Sequence, residues 1–381
     1  MRNFTGFRVV FLAVLAAALA IPFQSFSLAA PVPAPPQEPG PQSPPPAPTN
    51  QQVPPPPEGQ APAPKGNDGQ KKPSYSIQVE SNLVNVDVVV TDQNGDVMTG
   101  LKKENFRVLD DGQAQIITNF APTDAPITVA MVMEYSALSY NYFAGKAAYW
   151  GSDFLNHLNK EDWVALVTYS MKSTVQVDFT RNKGEVYQSI RTLGFPDFHE
   201  ANMFDALVDT LDRLQDVKGK KSILLITTGK DTFSRHTLDQ TYKRLKQTDI
   251  SVFCLALAET EHIMADARGA SGASQIGYLQ SRNELESFAK QTGGFAWFPR
   301  FDGEIPEIFQ TMAAFLRNQY TISFTPSNPA HDGKYHKLKI EVTEPDGSPL
   351  NVTNKKGKKM KIQVYAREGY TAMTGQVGDL R

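Results

Sequence analysis

The chain has 381 residues, enough for two or three folded units at about 150 residues each. Lys and Arg number 38 against 40 Asp and Glu, a net charge of −2, so nothing supplies the basic excess of a nucleic-acid binder or a polybasic patch for a membrane surface. The single cysteine, Cys254, excludes an intramolecular disulfide and any multi-cysteine zinc site.

Arg2 and Arg8 precede an uncharged aliphatic run at residues 9–21, and Ser27, Leu28, Ala29 and Ala30 end it in small residues. This is the layout of an export signal over residues 1–30, with cleavage expected near Ala29 or Ala30. Pro22, Gln24 and Ser25 stop the run short of the roughly 20 apolar residues a membrane span needs. No span is therefore expected after cleavage, and the loss of Arg2 and Arg8 takes the charge from −2 to −4. Sixteen of the 27 prolines lie between Pro31 and Pro64. Residues 31–74 hold almost no large apolar side chain, cannot offset the entropy of ordering, and read as a proline-rich disordered tether.

The folded body begins with alternation. Val84, Val86, Val88 and Val90 recur at every second position, with Asn85 and Asp87 between them, and Asn94-Gly95 follows as a turn. Residues 77–79, 106–109 and 116–120 are further strands, with Asp110-Asp111-Gly112 as a second turn. The segment Asp92 to Asp96 has the opening of a calcium loop, but Val97 and Lys103 stand where its glycine and late glutamate belong, so it reads as a turn. Near the other end, residues 320–324, 338–342 and 362–365 form short strands with turns at 332–333 and 346–347. Each block alone is too small to bury a good core. Pairing 75–123 with 319–372 makes one small β-sandwich, and 373–381 is a flexible tail.

The middle, 124–318, alternates. Strands are expected at 127–133, 163–168, 222–227, 250–257 and 295–298, with 174–179 turning back beside the second. Helices are expected at 142–158, 184–193, 203–214, 238–246, 285–291 and 305–316, with residues 267–283 a small-residue loop. Such alternation implies a largely parallel sheet covered on both faces, with ligands at the strands' carboxyl ends.

Residues 127–139 (ITVAMVMEYSALS), 199–207 (HEANMFDAL) and 223–231 (ILLITTGKD) resemble the three signature segments of the von Willebrand factor A domain. Roughly 76–372 is similar to the VWFA-related family first described from Acidobacteria, through LKKENFRVLDDGQAQIITNF at 101–120, Thr292-Gly293-Gly294, and the stretch from Tyr320 to Tyr370. The resemblance implies an α/β fold: a Rossmann-like von Willebrand factor A domain inserted in or flanked by the small β-sandwich.

It also implies a metal-ion-dependent adhesion site, in which an Asp-x-Ser-x-Ser segment, a Thr and an Asp hold a divalent cation for a partner's carboxylate. Against that pattern, Glu134 stands for the first Asp and Ser136 matches. Leu138 takes the second Ser position with Ser139 one step late, Ala201 replaces the Thr, and Thr228 replaces the final Asp with Asp231 three residues on. A compact octahedral shell tolerates such displacement poorly. The site is therefore expected to be degenerate, with no cofactor. The binding rim comprises Glu134, Ser136, Ser139, Ala201, Asn202, Thr228 and Asp231. The alternative is a remodelled site for Mg, Ca or Mn on Glu134, Ser136 and Asp231, with Thr228 assisting.

Plainer roles exist for the same residues. Glu134 could cap the following helix, Ser136 could satisfy loop amides, and Asp231 could cap a helix beyond Arg235. Asp205 and Asp209 read as a first-turn charge and a solvated residue. Cys254 reads as a buried thiol, and Tyr135, Tyr140, Tyr142, Phe143, Tyr149 and Trp150 mostly as core. Catalysis has little support. The six histidines are scattered, Ser136 lies in no GxSxG, and Gly229-Lys230 lacks the upstream glycine of a phosphate loop. His199 or His236 facing a serine or aspartate would raise an exported hydrolase. The expectation is an exported, non-enzymatic interaction or scaffold protein, periplasmic or secreted to the cell surface. It binds a protein partner and no nucleic acid.

Overall fold

The structure is a computed structural model. It describes residues 83–372 apart from 123–125, 138, 141–145, 258, 260–261, 264–268, 270–271, 328–332 and 354–356. The segments expected as export signal, proline-rich tether, strand at 77–79 and tail, together with Leu138, Tyr142 and Phe143, lie outside the described residues.

Strands β1 (Val84–Asp92), β2 (Phe106–Asp110), β3 (Gln113–Gln115) and β4 (Ile117–Pro122) come first. The alternating part runs β5 (Ile127–Glu134), α1 (Ala147–Asn156), β6 (Trp163–Tyr169), β7 (Ser173–Thr180), α2 (Lys183–Arg191) and α3 (Met203–Leu214). It continues with β8 (Lys220–Thr227), α4 (Leu238–Lys246), β9 (Ser251–Ala256), α5 (Gly272–Thr292), β10 (Ala296–Trp297) and α6 (Ile305–Arg317). Then follow β11 (Tyr320–Phe324), β12 (Tyr335–Val342), β13 (Val352–Thr353), β14 (Lys359–Met360), β15 (Ile362–Ala366) and β16 (Gly369–Thr371).

Early and late strands interleave in two four-stranded antiparallel sheets, β15-β1-β11-β4 and β16-β12-β2-β3. The valine alternation explains the packing. Val86, Val88 and Val90 join Phe106, Val108, Ile322 and Ile340 in one buried core, while Val89, on the opposite face of β1, enters the core of the α/β part. Asp92 Oδ1 accepts from the amides of Asn94 (2.7 Å) and Asp96 (3.0 Å), the turn expected there.

The central sheet has the order β10-β9-β8-β5-β6-β7. All pairings are parallel except β6 with β7, which doubles back. β5 is buried on both faces: Val129, Met131 and Met133 pack on α1, α2 and α6, while Ala130 and Val132 pack toward α3, α4 and α5.

One expectation needs correction. Residues 272–283 are helical, so α5 runs 21 residues instead of starting near Leu285. Its core contacts, Leu285, Phe288 and Ala289, lie in the later part of the helix. The earlier turns are polar or solvent-facing, held by pairs such as Gln280–Glu284 (3.0 Å) and Arg282–Glu286 (3.1 Å), so no apolar stripe marks them. Tyr149 is exposed on α1, whereas Trp150 beside it is buried.

The Thr292-Gly293-Gly294 segment has a steric reason. A Cβ on Gly294 would sit 1.9 Å from the Val252 carbonyl oxygen, and one on Gly293 (φ +78°) would sit 2.7 Å from the Arg367 amide nitrogen. Thr292 Oγ1 accepts from the Val252 amide at 3.0 Å. The chain here lies tight against both the central sheet and the segment following β15.

Candidate functional site

The connections from β5 and β8 diverge: β5 leads to β6 on one side, β8 to β9 on the other. In open α/β sheets the crevice at such a reversal, at the carboxyl ends of the strands, is where ligands bind. Glu134 ends β5 there, and Thr227 ends β8.

The Glu134 side chain is fully buried. Its Oε1 accepts from Ser136 Oγ (2.9 Å). Its Oε2 accepts from the Thr228 amide (2.7 Å), Thr228 Oγ1 (2.9 Å) and Thr227 Oγ1 (3.0 Å). Burial raises the carboxyl above its ordinary value, and these bonds from Thr228, Ser136 and Thr227 work against that rise. Around the cage, Tyr169 Oη donates to Thr227 Oγ1 (2.8 Å), and Ser139 Oγ meets the carbonyls of Ser136 (3.0 Å) and Glu134 (3.2 Å). Glu134 thus caps no helix; it ties the end of β5 across to the end of β8.

Ala201, Asn202 and Asp231 form a neighbouring knot. The Ala201 amide donates to Thr232 Oγ1 (3.2 Å), and its carbonyl accepts from the Thr232 amide (2.8 Å). Asn202 donates to the Met171 carbonyl (2.9 Å) and accepts from the Phe233 amide (3.0 Å). Asp231 Oδ1 accepts from the Phe204 amide (3.0 Å) and Ser234 Oγ (2.6 Å). Asp231 therefore serves the first turn of α3, not a helix beyond Arg235. The structure joins Glu134, Ser136, Ser139 and Thr228 in one network and Ala201, Asn202 and Asp231 in another.

The fold implies a divalent ion here, and the residues present do not fit one. A magnesium ion takes near-octahedral oxygen ligands and usually keeps several waters. Glu134 is fully buried and both its oxygens already accept from protein donors, three of them on Oε2; Ala201 offers no side-chain ligand, and the Asp231 oxygens accept from Phe204 and Ser234.

Asp205 is not merely a first-turn charge. It is buried and accepts from the amide and Nε of Arg235 (both 3.1 Å) and from the amide (3.0 Å) and Nδ1 (2.6 Å) of His236. Burial pushes its carboxyl up, but the Arg235 and His236 bonds outweigh that and hold it at about 2. His236 does face an aspartate, yet no described hydrogen bond brings a serine or threonine hydroxyl to its ring, and His199 is exposed. Asp209 accepts from Ser173 Oγ (2.7 Å). Cys254 is buried in β9, which pushes its thiol up.

Sequence reasoning missed Thr227, inside a strand that reads as pure core, and Tyr169, one residue past the strand expected at 163–168. It also missed the aromatics bordering the two knots. Phe195, Phe198 and Phe233 are 70 %, 47 % and 65 % exposed, and Met171 is also exposed. The Phe195 ring lies 4.6 Å from that of Tyr140, the Phe198 carbonyl accepts from the Ala137 amide, and Phe233 is bound to Asn202. The signal available was three phenylalanines in polar loop segments, GFPDFH and KDTFSR, with no periodic partners.

Residues 141–291 match the family model of the von Willebrand factor type A domain. The middle of the chain has the von Willebrand factor A fold. No curated protein matches the chain. Among solved structures, proximal thread matrix protein 1 from the mussel byssus is similar at 12% identity and TM-score 0.37, over 52% of this chain and 50% of that one. The chain thus spans about half the length of the mussel protein. Conserved hypothetical protein BatB from Bacteroides thetaiotaomicron is similar at 13% identity and TM-score 0.35, over 51% of this chain and 100% of that one. A von Willebrand factor type A protein from Catenulispora acidiphila is similar at 13% identity and TM-score 0.39, over 77% of this chain and 72% of that one. No described helix is long and apolar enough to cross a membrane.

Proposed function

We propose that this chain is an exported, non-enzymatic interaction or scaffold protein that binds a protein partner at the carboxyl-end rim of its von Willebrand factor A sheet, with little or no metal dependence. The observation that carries the reading is the rim itself: a fully buried Glu134 whose two oxygens are occupied, bordered by exposed Phe195, Phe198 and Phe233. Aromatics are enriched at protein interfaces and depend on no ion for their contact energy. The von Willebrand factor A fold serves as a protein-interaction module, which agrees with this use of the rim. Residues 1–30 as an export signal and 31–74 as a tether complete the proposal, since a tether of this composition holds a binding domain away from its point of attachment. The adhesion site is read as a degenerate member of the VWFA-related pattern.

The test is capture of partners from the exported fraction of the source cells, in EDTA and in millimolar Mg²⁺, with wild type and Phe195→Ser/Phe198→Ser/Phe233→Ser. The same protein is expected in both buffers and lost from the triple variant, whose thermal midpoint stays within a few degrees of wild type. Capture that needs Mg²⁺, or that survives the triple substitution, overturns the reading. The Asp205–His236 contact is the observation that favours a hydrolase instead. Under the interaction reading it clasps the loop before α4 onto α3, and His236→Ala changes stability without removing any ester or peptide hydrolysis.

A further inference from the structure

We propose that Asp110, Asp111 and His336, in the β-sandwich, form a binding site for a divalent first-row transition ion, zinc by preference. The three residues come from distant parts of the chain. Asp110 ends β2, Asp111 begins the turn to β3, and His336 lies on β12, whose Leu338 pairs with Asp110. Consecutive strand residues point to opposite faces. Here Asp111 has φ +47° and Gly112 φ +83°, so the chain reverses immediately and both carboxylates turn toward one imidazole.

The distances suit an ion. His336 Nδ1 is 2.9 Å from Asp111 Oδ2 and 3.7 Å from Asp110 Oδ1, and one ligand atom from each residue falls within 4.8 Å of the others. Tetrahedral ligands at about 2.1 Å from zinc stand about 3.4 Å apart, between the two measured values. One imidazole and two carboxylates are the ligand types zinc takes, and three protein ligands leave its fourth position open.

Each carboxylate divides its labour. Asp110 Oδ2 accepts from Tyr370 Oη (2.9 Å), and Asp111 Oδ1 accepts from the Lys337 amide (2.9 Å). The Tyr370 ring stacks on His336 with centroids 5.3 Å apart. Those contacts orient the ligands and leave the opposite oxygens turned to the imidazole.

Plain ion pairs from His336 to Asp111 and, at 3.7 Å, to Asp110 explain part of this, but give Asp110 Oδ1 no hydrogen bond. Asp110 is 6 % exposed, and its Oδ1 is buried without a hydrogen-bond partner. A buried carboxylate oxygen left without a donor is costly, and a cation would satisfy it. Asp111 is half-exposed and lines an open depression of about 610 Å³ with Gly112, Tyr335 and Lys337, which gives an ion a way in.

The site is separate from the Glu134 rim, so its test is separate. The untagged full chain is stripped with EDTA, dialysed and titrated calorimetrically with ZnCl₂. The proposal expects saturation at one zinc per chain and a rise in thermal midpoint. Asp111→Asn and His336→Gln should each weaken binding at least about tenfold. Asp111→Asn sits at the surface and keeps an acceptor for Lys337, so it should melt as wild type does without zinc. Absence of stoichiometric uptake, or unchanged affinity in Asp111→Asn, overturns the site.

Discussion

Glu134 and Asp205 are two buried carboxylates on neighbouring segments, and their surroundings drive them in opposite directions. Burial raises Glu134 above 4.5, so its contribution to stability is full below the unfolded value and is lost as pH rises through the raised folded value. Asp205 is held at about 2 against an ordinary 3.8, so its contribution is present above the unfolded value and is lost as pH falls toward 2. Urea midpoints measured across pH should show both slopes. Glu134→Gln flattens the decline above the ordinary glutamate value, and Asp205→Asn removes about 1–2 kcal/mol of the acid dependence after solvent screening. A Glu134→Gln profile that parallels wild type would mean that the bonds from Thr228, Ser136 and Thr227 cancel the effect of burial on Glu134. The departure of Glu134 from the adhesion pattern was legible in the sequence, but the donors that answer it were not. Thr227 lies in a run that reads as core and Tyr169 directly follows another, and their hydroxyls meet only once β5, β6 and β8 are side by side. His336 was legible only as one scattered histidine, because the chain brings it to Asp110 across more than two hundred residues.

Among the elements, those whose own pattern faces a core were the ones the sequence could place. The valines of β1 alternate because one side packs on the second sandwich sheet, and α3 and α4 match their expected spans, 203–214 and 238–246. Residues 272–283 of α5 read as loop because those turns pack few apolar groups, and helix there is sustained by continuity with Leu285 and Phe288 and by pairs along its surface. The turn into β10 is governed by sterics that no periodicity reports. Gly294→Ala would drive a methyl into the Val252 carbonyl, and we expect a loss of at least about 2 kcal/mol in urea unfolding. A variant within about 0.5 kcal/mol of wild type would contradict the close approach seen here.

At the scale of the whole described body, β1 connects two cores. Val86, Val88 and Val90 belong to the sandwich and Val89 to the α/β part, while the Tyr365 ring of β15 lies 5.3 Å from Phe295 and 5.4 Å from Phe315. Shared packing of this kind makes the two parts unfold together, so scanning calorimetry should give a single endotherm that Tyr365→Ala moves down without splitting. Two endotherms in wild type would mean the cores are independent. The central claim, that the rim recognises its partner without an ion, meets its most direct test in thermal unfolding with EDTA and with millimolar Mg²⁺ or Ca²⁺. An ion that binds only the folded state at 100 times its Kd adds about 2.7 kcal/mol. The account predicts no shift from either ion in wild type. A Mg²⁺-dependent rise that disappears in Glu134→Gln and persists in His336→Gln would contradict it, because the cage at the end of β5 would then be holding a cation.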